Sequence, residues 1–259
     1  MPLCTTCDPW RENDLADFSG RVALVTGSSR GIGKGIALAL ADAGADVAVN
    51  YRSRSDEAEQ VVEEIRKKGI RAEAIQADVS QLASVDEMVR AIASQIGPID
   101  ILVNNAGTAV EKDIDDISLE DFNAALASNL GSAFLCTQAV LPGMRERRWG
   151  RIVNISSIGA RVGAGSVSVA YGAAKAGLEG LTRAYALRLA GDGITVNAIA
   201  PGLVDTDMGR PLVEAGVPDR IPMRRSGTPS EIGHAVRMVI ENAYMTGQTI
   251  GVNGGSLFL

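Results

Sequence analysis

Tyr171 and Lys175 stand at i and i+4 in the stretch YGAAK, so on a helix they share one face. An ammonium beside a phenol favours the phenolate and lowers the phenol's pKa. A free phenol titrates at about 10, and moving it toward neutrality makes it an efficient proton donor and acceptor. Taken alone, a Tyr–Lys pair at this spacing is commonplace and usually structural, so its setting has to be read with it. Upstream, the run NISS places Ser156 and Ser157 at the carboxyl end of an apolar stretch, where a hydroxyl is ready to hydrogen-bond a carbonyl oxygen.

A second group of residues could hold a phosphate-bearing ligand. In TGSSRGIG, residues 26–33, Gly27, Gly31 and Gly33 lie between a strand pattern and a helical one. Backbone amides and the helix dipole can receive a pyrophosphate at such a junction. Ser29, Arg30 and Ile32 complete the turn. The spacing is GxxxGxG rather than the commoner GxGxxG, and GKG follows where a P-loop needs GK[ST]. Glycines also serve plain tight turns; the strand–turn–helix setting is what favours a dinucleotide. The second strand pattern ends in NYRSR, residues 50–54, with no acidic residue to hold the ribose hydroxyls of NAD. Arg52, between Tyr51 and Ser53, joins Arg30 in offering guanidinium groups that suit a 2′-phosphate, hence NADP. The plainer reading leaves Arg52 and Arg54 as solvated charges at a helix entry. NNAG, residues 104–107, directly follows the strand pattern IDILV. That is the switch-point crevice of a doubly wound sheet, and it brings Asn105, Ala106 and Gly107 to the expected cofactor site. Asp78 and Val79, just past the third strand pattern, reach the same edge, where Asp78 can meet the adenine.

The elements that must position these residues alternate. VALVT from Val22, DVAVNY (46–51), RAEAIQ (71–76), IDILVN (99–104), RIVNIS (151–156), ITVNAI (194–199) and QTIGV (248–252) read as strands. Helical patterns run over Gly31 to Ala43, Ser55 to Lys68, Leu82 to Ile96, Ser118 to about Arg147, and Tyr171 to Ala190. Such alternation predicts an α/β fold, a doubly wound parallel sheet of the Rossmann type with helices on both faces. Residues 1–19 read as a tail and 20–259 as one catalytic domain. Within it, 202–228 lacks periodicity and reads as a substrate lid. Thr228, Pro229 and Glu231 then supply an N-cap, an N1 proline and a capping-box acid for a last helix.

Composition narrows the classes further. The 259 residues are 46% hydrophobic and 22% charged, enough for a large core. A formal net charge of −6 weighs against nucleic acid as a partner. No apolar run reaches the ~18 residues of a membrane span, and the N-terminus lacks the pattern of a secretory leader. The three cysteines give no disulfide framework, and a reducing cytoplasm is the expected location. Cys4 and Cys7 form a CxxC too poor in further ligands for zinc, so no metal is expected; Cys136 reads as a small core residue. His234 is the single histidine, on the late helix, which leaves no room for a Ser–His–Asp triad near the motifs.

With TGSSRGIG, NNAG, Asn129, Ser157, YxxxK, PGLVDT (201–206) and TGQTIGVNGG occurring in that order, the chain resembles the classical short-chain dehydrogenase/reductase family from about Gly20 to Leu259. The resemblance implies Tyr171 as general acid, Lys175 on the nicotinamide ribose and on the Tyr171 pKa, and Ser157 on the substrate carbonyl. It implies that Asn129 holds a water for a proton relay behind Lys175. It adds Pro201, Gly202, Val204 and Thr206 to the cofactor site. The interval from Ser157 to Tyr171 is one residue longer than is frequent in the family, which keeps Ser156 as an alternative. NYRS, NNAG and YGAAKAG look most like 3-oxoacyl-[acyl-carrier-protein] reductases, which implies reduction of a 3-oxoacyl thioester ketone to a secondary alcohol. Glucose dehydrogenases and broad ketone reductases share much of this pattern. A non-enzymatic NADP sensor on the same fold would be expected to lose Tyr or Lys from YxxxK. For an acidic acyl carrier protein as partner, MRERRWGR (144–151) offers a basic patch with Arg145, Arg147, Arg148 and Arg151, while Asp192 and the net charge oppose it. Small residues along the Tyr171 helix permit close helix approach, and the resemblance implies a homotetramer.

Overall fold

Short apolar runs with no polar face are what a parallel sheet covered on both sides requires. In the computed structural model, which describes residues 17–109, 112–163 and 169–258, those runs form seven parallel strands. They are β1 (Val22–Val25), β2 (Asp46–Tyr51), β3 (Ala72–Gln76), β4 (Ile99–Asn104), β5 (Gly150–Ile155), β6 (Ile194–Pro201) and β7 (Thr249–Val252), in the order β3-β2-β1-β4-β5-β6-β7. The inner strands β1, β4, β5 and β6 are buried from end to end, whereas the edge strands β3 and β7 are mixed. Strand order reverses between β1 and β4, so a crevice opens at their carboxyl ends.

Strand periodicity divides the core into two layers. Ala23 and Val25 pack with α1 (Gly31–Asp42), α2 (Ser55–Arg66) and α9 (Pro229–Glu241); Val22 and Leu24 face α3 (Leu82–Gln95), α5 (Ser132–Arg147) and α7 (Val169–Leu189). The doubly wound α/β reading holds. Phe18, in the segment expected as a tail, is 2% exposed, and its amide donates to the Ala43 carbonyl. Cys4 and Cys7 lie outside the described residues. Cys136 is a core residue of α5, its thiol pushed up to about 12 by burial. His234 sits on the exposed side of α9.

The stretch from Ser118 to Arg147 is helical as expected, from Leu119 to Arg147, with a π-turn over Ala127–Gly131 that divides it into α4 (Leu119–Leu126) and α5. As a unit, Leu119–Arg147 is long and apolar enough, by length and composition, to cross a bilayer, which the search for apolar runs did not anticipate. Its apolar residues serve the sheet instead: Cys136, Val140, Leu141 and Met144 are buried in the core. The Gly/Ser-rich segment after β5 contains a short helix, α6 (Gly159–Val162). The lid segment carries α8 (Arg210–Glu214) and a 3-10 turn over Val217–Arg220.

Glycine sets one crossing that matters for the site. A Cβ on Gly35 of α1 would stand 2.5 Å from the Pro229 carbonyl oxygen, and one on Gly233 of α9 would stand 2.7 Å from the Gly35 carbonyl oxygen. The first and last helices therefore touch through backbone. The predicted capping box of α9 is formed: Thr228 accepts from the Glu231 amide, and the Glu231 carboxylate accepts from the Thr228 amide.

Candidate active site

The TGSSRGIG turn leaves β1 and enters α1 with Gly27 at φ +62° and Gly31 at φ +54°, a region that glycine occupies without strain. Gly33 serves space instead, since a Cβ there would come within 2.6 Å of Asn105 Nδ2. The turn is clasped to NNAG. Thr26 Oγ1 accepts from the amides of Asn105 and Ala106, both at 3.0 Å, and Asn105 Nδ2 donates to the carbonyls of Thr26 and Gly27 at 2.8 and 3.0 Å. Pro201 ends β6 and Gly202 donates to Val252. Val204 bridges to Gly227, and Thr206 Cγ2 lies 3.3 Å from where a Gly31 Cβ would be. The lid thus starts against the glycine turn. Gly27 lies against Ala106 and Asn105 and Gly33 against Asn105, with Ser29 and Ile32 in the same turn.

The two arginines differ in their engagements. Arg30 pairs with Asp207 of the lid at 2.5 Å, and Asp207 also holds Arg210 at 2.7 Å. The Arg52 guanidinium is exposed and makes no hydrogen bond or ion pair with a described residue; only its carbonyl is used, by Gln76. Tyr51 and Ser53 flank it at the end of β2. Asp78 forms a turn, accepting from the amide and hydroxyl of Ser80 at 3.0 and 2.7 Å. The Ser80 hydroxyl foremost, with a smaller contribution from Arg52, holds its carboxyl below the usual value against the effect of burial. Val79 beside it is buried.

At the crevice, Ser157 and Tyr171 meet. The Ser157 hydroxyl oxygen accepts from the Gly159 amide at 3.0 Å, which leaves its proton to donate, and the hydroxyl stands near enough to the Tyr171 phenol to lower its pKa. Ser156 points the other way, to the Lys175 carbonyl and to Glu179. Of the two serines, Ser157 is the one placed with Tyr171. Lys175 is 4% exposed; its ammonium donates to the Ile155 carbonyl at 2.8 Å and lies 5.6 Å from the Tyr171 ring centre. Burial pushes the Lys175 ammonium down to about 8. The expected lowering of the phenol by Lys175 is not what the protein chain shows: burial pushes Tyr171 up, with the Ser157 hydroxyl pulling back. The ammonium is turned toward Ile155, and desolvation of a phenolate is the larger effect.

Asn129 stands on the π-turn, 1% exposed. Its amide nitrogen donates to Thr108 and Ala125 carbonyls at 2.9 and 3.0 Å, while its Oδ1 has no partner. A Cβ on Gly107 would collide with that Oδ1 and sit 3.5 Å from Lys175 Nζ. A buried acceptor without a partner calls for a donor such as water, and Oδ1 and the Lys175 ammonium both lie around Gly107.

Comparison with known proteins fits this geometry. A family model described as enoyl-(acyl carrier protein) reductase matches residues 27–256. A 3-oxoacyl-[acyl-carrier-protein] reductase of Synechocystis sp. is 43% identical over 93% of this chain and 98% of its own length. One from Staphylococcus epidermidis is 44% identical over 90% and 97%. The chain belongs to the short-chain dehydrogenase/reductase family. Among solved structures, a protein of Agrobacterium tumefaciens provisionally described as a gluconate dehydrogenase superposes with a TM-score of 0.88 at 37% identity, over 94% of this chain and 99% of that one. A Sinorhizobium meliloti protein, provisionally described as a short-chain alcohol dehydrogenase, does so with a TM-score of 0.87 at 40% identity, over 93% and 98%.

Two polar contacts brace the site of this short-chain dehydrogenase/reductase: the one at Asn50 escaped sequence reasoning, whereas asparagines of NNAG tying neighbouring strand ends together were expected. Asn50, 2% exposed, accepts from the Gly27 amide at 3.0 Å and donates to Ile75 and Ala77, pinning the glycine turn to β2 and β3. A polar residue inside DVAVNY was the available signal. Asn104 donates to Asn154 at 2.8 Å and Asn154 to Thr182 at 2.9 Å, a buried chain that joins β4, β5 and α7 beneath the site. The arginine patch of MRERRWGR lies at the amino ends of β4 and β5, opposite the Ser157–Tyr171 end, and its charges are engaged. Arg145 donates to Asp192 at 2.9 Å, Arg147 to Asp100 at 3.1 Å and Arg148 to the Gly191 carbonyl at 3.0 Å. Arg151 is buried under Trp149, and burial brings it down to about 10.

Proposed function

We propose that this oxidoreductase uses NADP(H) to reduce a ketone to a secondary alcohol, and that 3-oxoacyl thioesters are its substrates. The observation that carries the reaction type is the gathering of Ser157 and Tyr171 beside the buried Lys175, whose ammonium lies 5.6 Å from the Tyr171 ring centre. The substrate class rests on the likeness to 3-oxoacyl-[acyl-carrier-protein] reductases. The residues present fit a nicotinamide dinucleotide: free amides at the start of α1, glycines where a Cβ would fill the cradle, and an exposed guanidinium at Arg52 for a 2′-phosphate.

When bound, the cofactor supplies the hydride that the carbonyl carbon takes up. Ser157, its lone pair fixed by Gly159, donates to the carbonyl oxygen and orients it. Tyr171 gives its phenolic proton to that oxygen as charge develops on it. Lys175, the cation of the site, stabilises the phenolate left behind, and its depressed ammonium lets protons pass at near-neutral pH. The unpartnered Oδ1 of Asn129 can hold a water that resupplies the proton from behind Lys175.

A carrier protein is a weaker part of the reading, because the arginine patch is engaged in the protomer and Asp192 cancels charge there. The test compares acetoacetyl groups on acyl carrier protein and on a small thiol, beside glucose and cyclic ketones. Turnover of both thioesters is expected, with similar and weakly salt-dependent KM. A lower KM for the carrier form that rises with salt would show docking after all. Turnover of sugars alone would overturn the thioester assignment.

We also propose a homotetramer, in which a second copy covers the apolar face formed by Leu126, Leu130, Phe134, Gly177, Leu181 and Ala184. Phe134 is 46% exposed there, and the glycine lets helices approach closely. Light scattering should report a tetramer for the natural chain and a smaller species for Phe134→Glu. A monomeric natural chain would refute this.

A further inference from the structure

Glu179 is 5% exposed, one helical turn beyond Lys175 on α7. A carboxylate that deep is costly unless it is paired and hydrogen-bonded. Its Oε2 accepts from Arg161 Nε at 3.1 Å and Nη2 at 3.0 Å. Its Oε1 accepts from the Ser156 hydroxyl at 3.3 Å. Ser156 directly precedes Ser157, and Arg161 stands on α6 just after it. One carboxylate on the helix of Tyr171 and Lys175 therefore grips both sides of the loop that presents Ser157.

The grip has little to offer stability. A buried ion pair is often no better than apolar residues of the same volume, whereas loss of one partner strands the other. What charge-assisted bonds do supply is geometry. The loop needs it: α6 spans only Gly159–Val162, too short to hold itself. On its other side the loop is tied to β6 by the Ser156 amide on the Ile199 carbonyl at 2.7 Å and the Ile158 amide on the Pro201 carbonyl at 3.0 Å. Those bonds fix its distance from the sheet. Glu179 fixes its distance from α7.

We propose that Glu179 is a positioning residue for the reduction: through Arg161 and Ser156 it holds the Ser157 loop against α7 and so sets where the Ser157 hydroxyl stands relative to Tyr171. The proposal rests on the roles given above to Ser157 and Tyr171.

The ionisable groups on the packed elements define the readout. Lys175 is on α7 itself; Glu179 and Arg161 neutralise each other across α6 and α7; α4, which also packs on α7, brings Glu120 and Asp121 in its first turn. Glu179→Gln keeps shape and removes charge. It is expected to lower kcat about tenfold, the effect of misplacing one hydrogen bond to the reacting group. NADPH affinity should stay the same, because the glycine turn belongs to other elements. In the alcohol-oxidising direction Tyr171 works as the base. Since the Ser157 hydroxyl lowers its pKa, moving that hydroxyl away shifts the midpoint of the kcat rise to higher pH.

Arg161→Met, with a side chain 29% exposed, should give the same shift, and the double variant should be no worse than either single one. Glu179→Asp keeps the charge and should restore part of the midpoint. Wild-type kcat and midpoint in Glu179→Gln, whatever its thermal stability, would overturn the proposal, as would additive effects in the double variant. If Glu179→Gln does not fold, Arg161→Met decides by the same two readouts. Tyr171→Phe in the same assay separates the two levels: turnover retained there removes the site assignment, whereas an inactive Tyr171→Phe beside a normal Glu179→Gln removes the positioning role alone.

Discussion

Tyr171→Phe is expected to cut turnover by about 10²- to 10⁴-fold, the usual worth of a positioned proton donor. The change is small in volume. It keeps the ring that packs near Lys175, 5.6 Å from its ammonium, and deletes the hydroxyl that lies near Ser157. Lys175 keeps its bond to the Ile155 carbonyl, so the cation of the site stays in place. The glycine turn and NNAG are clasped through Thr26 and Asn105, far from the substituted atom in the bonding pattern, so NADPH affinity should change little. Steady-state kinetics with a fluorescence titration of NADPH separates the two quantities. A kcat loss with unchanged cofactor affinity is the signature of a group that acts only in the transition state. Turnover near the natural level would remove Tyr171 as the donor.

The second large effect concerns cofactor choice. Arg52→Asp should move the NADP/NAD ratio of kcat/KM toward NAD by at least about tenfold, since a charge-assisted hydrogen bond is worth roughly 1.5–3 kcal/mol and the new carboxylate also repels a 2′-phosphate. Sequence alone treats Arg30 and Arg52 alike. The structure separates them: Arg30 is committed to Asp207, at 2.5 Å, while the Arg52 guanidinium makes no bond to a described residue. Arg52 is therefore the group whose charge a ligand meets first. An unchanged ratio would refute the assignment.

What was legible in the sequence follows from periodicity. DVAVNY, IDILVN and ITVNAI are apolar on both faces, as strands buried by helices on two sides must be, and they fall on β2, β4 and β6. The glycine turn and YxxxK were legible because each lies at a strand end or on one helix. The π-turn at Ala127–Gly131 was not, since a single inserted residue leaves the apolar pattern of α4 and α5 nearly intact. The pairing of Glu179 with Arg161 joins elements that no local spacing connects, and so does the Arg30–Asp207 contact. The arginines of MRERRWGR illustrate the converse. Their charge is plain in the sequence, but the partners that consume it, Asp100, Asp192 and backbone carbonyls, come from elsewhere in the chain.

The contact of Gly35 with α9 has a bearing on how the molecule is made. Ile36 and Leu40 of α1 share a core with Ile232, Val236 and Val239 of the last long helix. During synthesis the β1–α1 unit emerges early, yet α9, which covers it, follows only after β6. Contacts at such separation form slowly, and apolar faces left waiting are prone to association. A nascent chain halted before Pro229 carries every glycine of the TGSSRGIG turn but leaves one wall of its first helix bare.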